Sequence, residues 1–249
     1  MPLSLKSGWS QISEATSKML GLIDGDVLLH WAARASDTPE DTEEKLHELF
    51  EYTKAASFAT DFRVAIKGKD NYRKDIFADY KRNRRPVDPQ LKVNLVAAAK
   101  LSIADYGAEM AHGQEADDLV RIWSEEAKAE GLDSVVIAED KDLNCIPGPH
   151  FNPKKDIHFY VTEDDADLLY HQQLLTGDSA DNIKGLWKVG PKTAQKFLAD
   201  VPMGERMDKV IEVWQEREPE DWYERLDLCG KLITIRRTHD ELFDLGDYV

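Results

Sequence analysis

The sequence predicts an α/β protein, with a mostly parallel central sheet, flanking helices and a helical C-terminal part. Three observations carry this. Short apolar runs alternate with helix-period segments over the first 162 residues, the pattern of consecutive βαβ units. Beyond Thr162 every segment reads as helical. Acids stand just past the apolar runs, where sites form in open α/β sheets.

In order, Met19 to Asp26 reads as a buried strand ended by Asp24-Gly25, followed by an apolar helix, Val27 to Ala35. Pro39 to Phe62 has helical periodicity, with Leu46, Leu49, Phe50 and Thr53 on one face. Arg63 to Lys67 is a second strand, and a basic segment runs from Gly68 to Pro86. A long helix spans Pro89 to Tyr106, Glu109 to His112 is a weak strand, and Glu115 to Glu130 is a helix stopped by Gly131. Ser134 to Ala138 is the clearest strand, being β-branched, and Asp156 to Thr162 alternates as another. With no internal repeat or low-complexity linker, residues 1–162, carrying a basic arch at 68–92, and residues 163–249 are expected to form one integrated unit.

Of the 249 residues, 42% are hydrophobic and 32% charged, which excludes a disordered chain. No apolar run approaches the roughly 20 residues of a membrane span. Met1 to Leu20 lacks a secretion-signal pattern, and Cys145 and Cys229 have no metal-ligand spacing. Zinc-finger and disulfide-scaffold classes are excluded, and a reduced, cytoplasmic location is expected.

The net charge of −16 argues against a nucleic-acid partner until its distribution is read. Phe62 to Lys92 holds ten Lys and Arg against four Asp, and Asn182 to Lys196 holds four lysines and no acid. The acids sit at special places: Asp24 ends one strand, and Asp140 and Asp142 follow another. Glu115, Asp117 and Asp118 open a helix, with Glu115 and Asp118 on one face, and Asp178 and Asp181 stand at an expected helix start after Gly177. Each alone has an ordinary explanation as a helix cap or dipole partner. Eight carboxylates brought together would repel one another unless cations neutralised them. Oxygen ligands without His or Cys suit Mg²⁺ or Mn²⁺, and two such ions about 4 Å apart can promote phosphodiester hydrolysis.

Tyr80 to Arg85 is too basic for ordinary core; alone it is a solvated face, and beside a metal site it binds a polyanion. Tyr72, Phe77 and Tyr80 could stack on bases or anchor the segment, with Phe77 assigned to the core. Gly177 to Ala194 reads as two helix ends joined by a turn at Gly190-Pro191, whose free N–H groups suit a phosphate. The plain alternative is an αα-hairpin, and Trp187 is expected to be buried.

Taken together, these residues resemble the 5′→3′ exonuclease and flap endonuclease family, bacteriophage members in particular. The matching stretches are Leu22 to Gly25, Asn71 to Arg73 with Tyr80 to Arg84, Glu115 to Asp118, Asp140 to Asp142, and Gly177 to Gly185 with Val189 to Ala194. Five short motifs in the family's order are specific where one alone is weak. The resemblance implies a PIN-like fold with a helix–three-turn–helix element and two divalent ions. Glu115, Asp117, Asp118 and Asp140 would hold the first ion, Asp142, Asp178 and Asp181 the second, with Asp24 between them. Lys81 matches the arch residue on the scissile phosphate, with Arg84 and Arg73 beside it in the catalytic set. Tyr80, Arg82, Arg85, Lys188, Gly190 and Lys192 would contact DNA, with K⁺ at the turn. The implied substrates are DNA with 5′ ends, flaps or nicks, and RNA–DNA hybrids, in the host cytoplasm for a phage protein.

The sequence departs from the family twice. The family carries an Asp five residues before the Arg matching Arg73; here that position is Gly68, with Asp70 the candidate substitute. The turn's Gly-Ile-Gly reads Lys188-Val189-Gly190. The rival readings are a non-catalytic structure-specific DNA-binding protein and a PIN-type ribonuclease.

Overall fold

Six strands form one sheet: β1 (Met19–Asp24), β2 (Asp61–Ile66), β3 (Glu109–Met110), β4 (Asp133–Ile137), β5 (Gly148–Asn152) and β6 (Ile157–Val161). Their order is β3-β2-β1-β4-β5-β6. The first five run parallel, and β6 pairs antiparallel with β5. This computed structural model describes residues 18–249. The N-terminal stretch read above for a secretion signal lies outside them, apart from Lys18 to Leu20.

The helices among the described residues are α1 (Gly25–Arg34), α2 (Pro39–Ala56), α3 (Tyr72–Ile76), α4 (Pro89–Tyr106), α5 (Ala116–Glu130), α6 (Glu163–Thr176), α7 (Pro191–Leu198), α8 (Arg206–Arg217) and α9 (Trp222–Ile233). The described chain divides into two compact units. The first runs as far as Asn71 and resumes at Pro86–Val161; the second comprises Tyr72–Arg85 and Thr162–Val249.

In the first unit, strand residues of one parity, Met19, Ile23, Val64, Ile66, Val135 and Ile137, share a core with Leu28, Leu29, Leu46, Phe50 and Ala98. That face therefore carries α1, α2 and α4. The opposite parity, Leu22, Ala65 and Val136, is buried as well, and α5 packs on β1, β2 and β4. Cover on both faces explains why the carboxyl halves of β2 and β4, Val64 to Ile66 and Val135 to Ile137, are apolar on both sides. Gly131 ends α5 in the left-handed conformation, φ 70°, as its sequence position predicts.

In the second unit, Leu174, Val189, Leu198, Val210, Trp214, Leu226 and Leu245 form a separate core. Tyr80 packs with Ile183, Cys229, Leu232 and Ile233, and Phe77 lies against them. This apolar anchoring is why residues 72–85, assigned to the α/β part by sequence, group with the helical part instead.

Several boundaries differ from expectation. α2 ends at Ala56, because Phe58 turns left-handed at φ 61°. Strand β5 was not foreseen; Gly148, Pro149 and His150 hide its period. Asp178 and Asp181 do not open a helix. α6 stops at Thr176, and two short strands, β7 (Gly177–Asp178) and β8 (Ile183–Lys184), pair antiparallel around them. No helix among the described residues is long and apolar enough to cross a membrane.

Candidate active site at the carboxyl edge of the sheet

Parallel strands all end on one side, so β1 to β4 deliver the residues that follow them to one edge. Asp24 closes β1, makes no cap bond to α1 and is 5% exposed. Burial, then the charges of Asp26 and Asp140, push its pKa up to about 8, with Glu139 adding to the rise. Asp26 is raised too, chiefly by burial, against the Lys67 amide that donates to its Oδ1 at 3.0 Å. Glu115 adds to that rise, so the acids after β1, β3 and β4 feel one another.

At the start of α5, Asp118 is fully buried, and its Oδ2 accepts from the Glu115 amide at 2.9 Å. Asp140 is exposed and caps the 3-10 turn Lys141–Cys145, accepting from the Asp142 amide at 2.9 Å. Burial pushes the Cys145 thiol up to about 11, with Asp117 and Asp142 adding to the rise and Arg121 opposing it. Asp117 and Asp142 therefore border the same group.

The donor chemistry, oxygen alone with excess negative charge around a buried carboxyl, fits a hard divalent cation. The carboxylates do not close around a point, however. Among the described residues no group of three or more His, Cys, Asp or Glu side chains is arranged to hold a metal ion.

Asp178 and Asp181 lie in the second unit. The Asp178 Oδ1 accepts from the Ala180 amide at 2.7 Å. Asp181 faces the basic segment: Lys81 Nζ lies 3.3 Å from its Oδ2, Tyr80 donates to the same oxygen at 3.2 Å, and Arg84 pairs with Oδ1. Arg82 is exposed and pairs with Asp79 at 2.6 Å, and Arg85 is exposed.

Two members of the expected set are structural here. Arg73 is 2% exposed; its guanidinium donates to the carbonyls of Leu232 at 2.9 Å and Thr234 at 2.6 Å, tying α3 to the end of α9. It is no free catalytic cation. Tyr80, expected on DNA, is 4% exposed and belongs to the core. Trp187, expected to be buried, is 75% exposed, with Lys188 Nζ 5.7 Å from its ring centre. Lys184, Lys188, Lys192 and Lys196 of the same stretch are all exposed.

The departures from the family pattern also resolve. A Cβ built on Gly68 would overlap the carbonyl oxygen of Ala111, so no acid fits there. Asp70, the candidate substitute, is exposed. Lys188 adopts φ 59°, the left-handed conformation a glycine would supply, and Gly190 becomes the N-cap of α7. Sequence reading missed Glu139, which follows β4 and accepts from Trp31 Nε1 at 3.1 Å, and left Asp26 out of the candidate acids. Position just past a strand was the signal for both.

A family model described as 5'-3' exonuclease, N-terminal resolvase-like domain, matches residues 20–169, more than half of the chain. A flap endonuclease Xni of Shewanella sediminis is 30% identical over 154 residues, covering 56% of this chain and 58% of that protein. A 5'-3' exonuclease of Aquifex aeolicus is 30% identical over 173 residues, covering 66% and 60%. The DNA polymerase I of Rhizobium leguminosarum is 26% identical over 178 residues, 64% of this chain but 17% of that protein. The chain thus spans less than two thirds of the length of each of these relatives. Among solved structures, the T5 D15 protein co-crystallised with metal ions superposes with a TM-score of 0.67 at 16% identity, covering 87% of this chain and 86% of that one. The catalytic core of Rad2 in complex with DNA substrate gives 0.51 at 17%, covering 94% and 76%. These two likenesses establish the fold, a PIN-like sheet with flanking helices. By the family match, the chain belongs to the family described as 5'-3' exonuclease, N-terminal resolvase-like domain.

Proposed function

We propose that this chain is a divalent-metal-dependent 5′ nuclease that hydrolyses phosphodiesters in DNA, as a 5′→3′ exonuclease and flap endonuclease. The observation that carries the reading is Asp24, a carboxyl at the carboxyl edge of a parallel sheet, raised first by its burial and then by Asp26, Asp140 and Glu139. A structural acid gains nothing from such neighbours, whereas an ion-binding one requires them. Asp24, Glu115, Asp117, Asp118, Asp140 and Asp142 would hold Mg²⁺ or Mn²⁺. Two ions there would supply the positive charge that phosphodiester hydrolysis needs. Relatives bearing the names flap endonuclease and 5'-3' exonuclease support the reading, as do neighbours solved with metal ions and with a DNA substrate.

The chain's own residues have separable tasks. Lys81 and Arg84 would meet the phosphate undergoing cleavage, while Lys188, Lys192 and the Gly190 amide would hold duplex phosphates remote from it. Lys188 is left-handed at φ 59°, and K⁺ would sit at this turn. Cys145, half-buried, and Cys229, buried, are both free, which accords with a reducing cytoplasm. A 5′-labelled flap, a nicked duplex and a single-stranded RNA, each with Mg²⁺ and with EDTA, test this. Cleavage of the flap only with Mg²⁺ is the expected result. Binding without cleavage would mean a DNA-binding protein, and cleavage of the RNA alone a ribonuclease.

A further inference from the structure

The two edges of the central sheet differ. β3 is two residues long and carries an exposed acid, Glu109, so it offers little to pair with. At the other edge β6 reads Ile157-His158-Phe159-Tyr160-Val161, all residues that favour strands, with no proline, glycine or formal charge to blunt it. Alternate N–H and C=O groups of such a strand point away from its one neighbour. Among the described residues, Ile157, Phe159, Tyr160 and Val161 make no backbone hydrogen bond outside the β5 ladder. Apolar side chains are displayed beside this edge. Ile157 is 43% exposed and Tyr160 46%. Phe58, left-handed and 66% exposed, has its ring 4.9 Å from that of His158. Exposed Tyr52 donates to Asp156, just before β6, at 2.9 Å.

The flanks of β6 have opposite charge. Lys154 and Lys155 precede it, and the chain runs on from it into Thr162, Glu163 and Asp164. Lys154 is taken up by Glu139, whereas Lys155 stands exposed. We propose that β6 is a dimerisation edge, on which two copies of this chain pair β6 against β6, antiparallel, across a two-fold axis at Phe159. Two six-stranded sheets would thereby become one. A two-fold axis demands a self-complementary surface, and this strand supplies one. With Phe159 opposite itself, all five residues of β6 find a partner. His158 meets Tyr160 of the second copy on one face, and Ile157 meets Val161 on the other. The same register sets Lys155 opposite Glu163 of the second copy, twice by symmetry. Parallel pairing would set lysine against lysine and acid against acid. An uncharged edge with one basic and one acidic end thus fits a copy of itself reversed end for end, and not a partner of uniform charge. The paired surface is small, so association should be weak and concentration-dependent. The inference is independent of the nuclease reading.

Sedimentation velocity and hydrogen exchange of the full chain, without DNA and over a wide concentration series, decide it. The expected result is a monomer–dimer equilibrium in which the amides of 157–161 exchange more slowly as the dimer fills. Lys155→Glu and Glu163→Lys each bring like charges together at both symmetric positions, and each should weaken association by about tenfold. The double variant restores opposite charges and should recover wild-type association. Tyr160→Lys, which puts a charge on the edge itself, should weaken it at least as much. All three positions are exposed, so melting temperatures should hold, and the wild-type measurements stand even where a variant fails to fold. A monomer at every concentration overturns the proposal; if its 157–161 amides are protected throughout, another segment of the same chain covers the edge. A dimer whose β6 amides exchange as fast as the monomer's also overturns it, as does a double variant no tighter than the single ones.

Discussion

The carbonyl oxygen of Ala111 occupies the space that a side chain on Gly68 would need. Gly68→Ala should therefore destabilise the protein by about 2 kcal/mol, within the usual range for overpacking. Gly68→Asp should cost at least as much and leave the Mg²⁺ requirement unrelieved. Urea unfolding monitored by circular dichroism reads the first effect; a Gly68→Asp protein of wild-type stability would show that β2 and the 111 loop separate more readily than their packing indicates.

Asp70→Asn should leave both stability and the Mg²⁺ titration of cleavage at wild-type values, because the side chain is exposed and a surface acid contributes little. A raised Mg²⁺ midpoint would return Asp70 to the ligand set.

Asp140→Asn separates structure from chemistry. Asparagine caps a helical turn as well as aspartate does, so the bond from the Asp142 amide persists and stability should change by less than about 1 kcal/mol. Cleavage in Mg²⁺ should fall by about 10²-fold or more, since a charge at the reacting centre is lost. DNA affinity in EDTA should hold or rise as repulsion falls. Near-normal turnover at saturating Mg²⁺ would remove Asp140 from the site.

His150 makes the fold acid-sensitive. Burial holds its pKa down from 6.5 to about 4, and its Nε2 donates to the Ile146 carbonyl at 2.8 Å. Because the folded value is the lower one, the unfolded chain binds the extra proton first. The stabilisation is complete above pH 6.5 and is lost as pH falls towards 4, about 3 kcal/mol in all. His150→Phe, which keeps a ring to stack on Phe159, should flatten this part of the stability–pH curve. An unchanged slope between pH 6.5 and 4 would place the acid sensitivity elsewhere.

Trp187 and Lys192 should weaken duplex binding in different ways. Lys192→Ala should lower the salt dependence of affinity by roughly one unit of slope. Trp187→Ala should lower affinity with the slope intact, because an uncharged ring releases no counterion, and should leave the melting temperature unchanged. Fluorescence anisotropy of a labelled nicked duplex across a salt series checks both; wild-type affinity in Trp187→Ala would make the exposed ring incidental to DNA.

Most of the sheet could be read from residues because strands such as Val135 to Ile137 are apolar and β-branched, and their ends carry the acids. β5 could not, since its only fully apolar buried residue is Phe151 and its pairing is set by neighbours far along the chain. Motif order singled out Lys81 and Asp181 as candidates, but their pairing is a tertiary contact with no local signature. Arg73 and Tyr80 were misassigned for the same reason: a basic or aromatic residue in a charged segment looks exposed until the carbonyls of α9 and the core beneath are in place. Trp187 erred in the other direction, because tryptophan is usually buried and only the turn turns it outward.

The chain passes between the two units three times, after Asn71, Arg85 and Val161. Neither unit is therefore an uninterrupted piece of sequence. A fragment cut to the family match at 20–169 would carry residues 72–85 without Asp181, Leu232 or Thr234, the groups that hold them. On the ribosome, the α/β unit can close once residue 161 has emerged, while residues 72–85 stay undocked until α9 has been synthesised. Maturation of this protein should thus show two steps, with the protection of residues 72–85 from proteases arriving only after α9 has emerged.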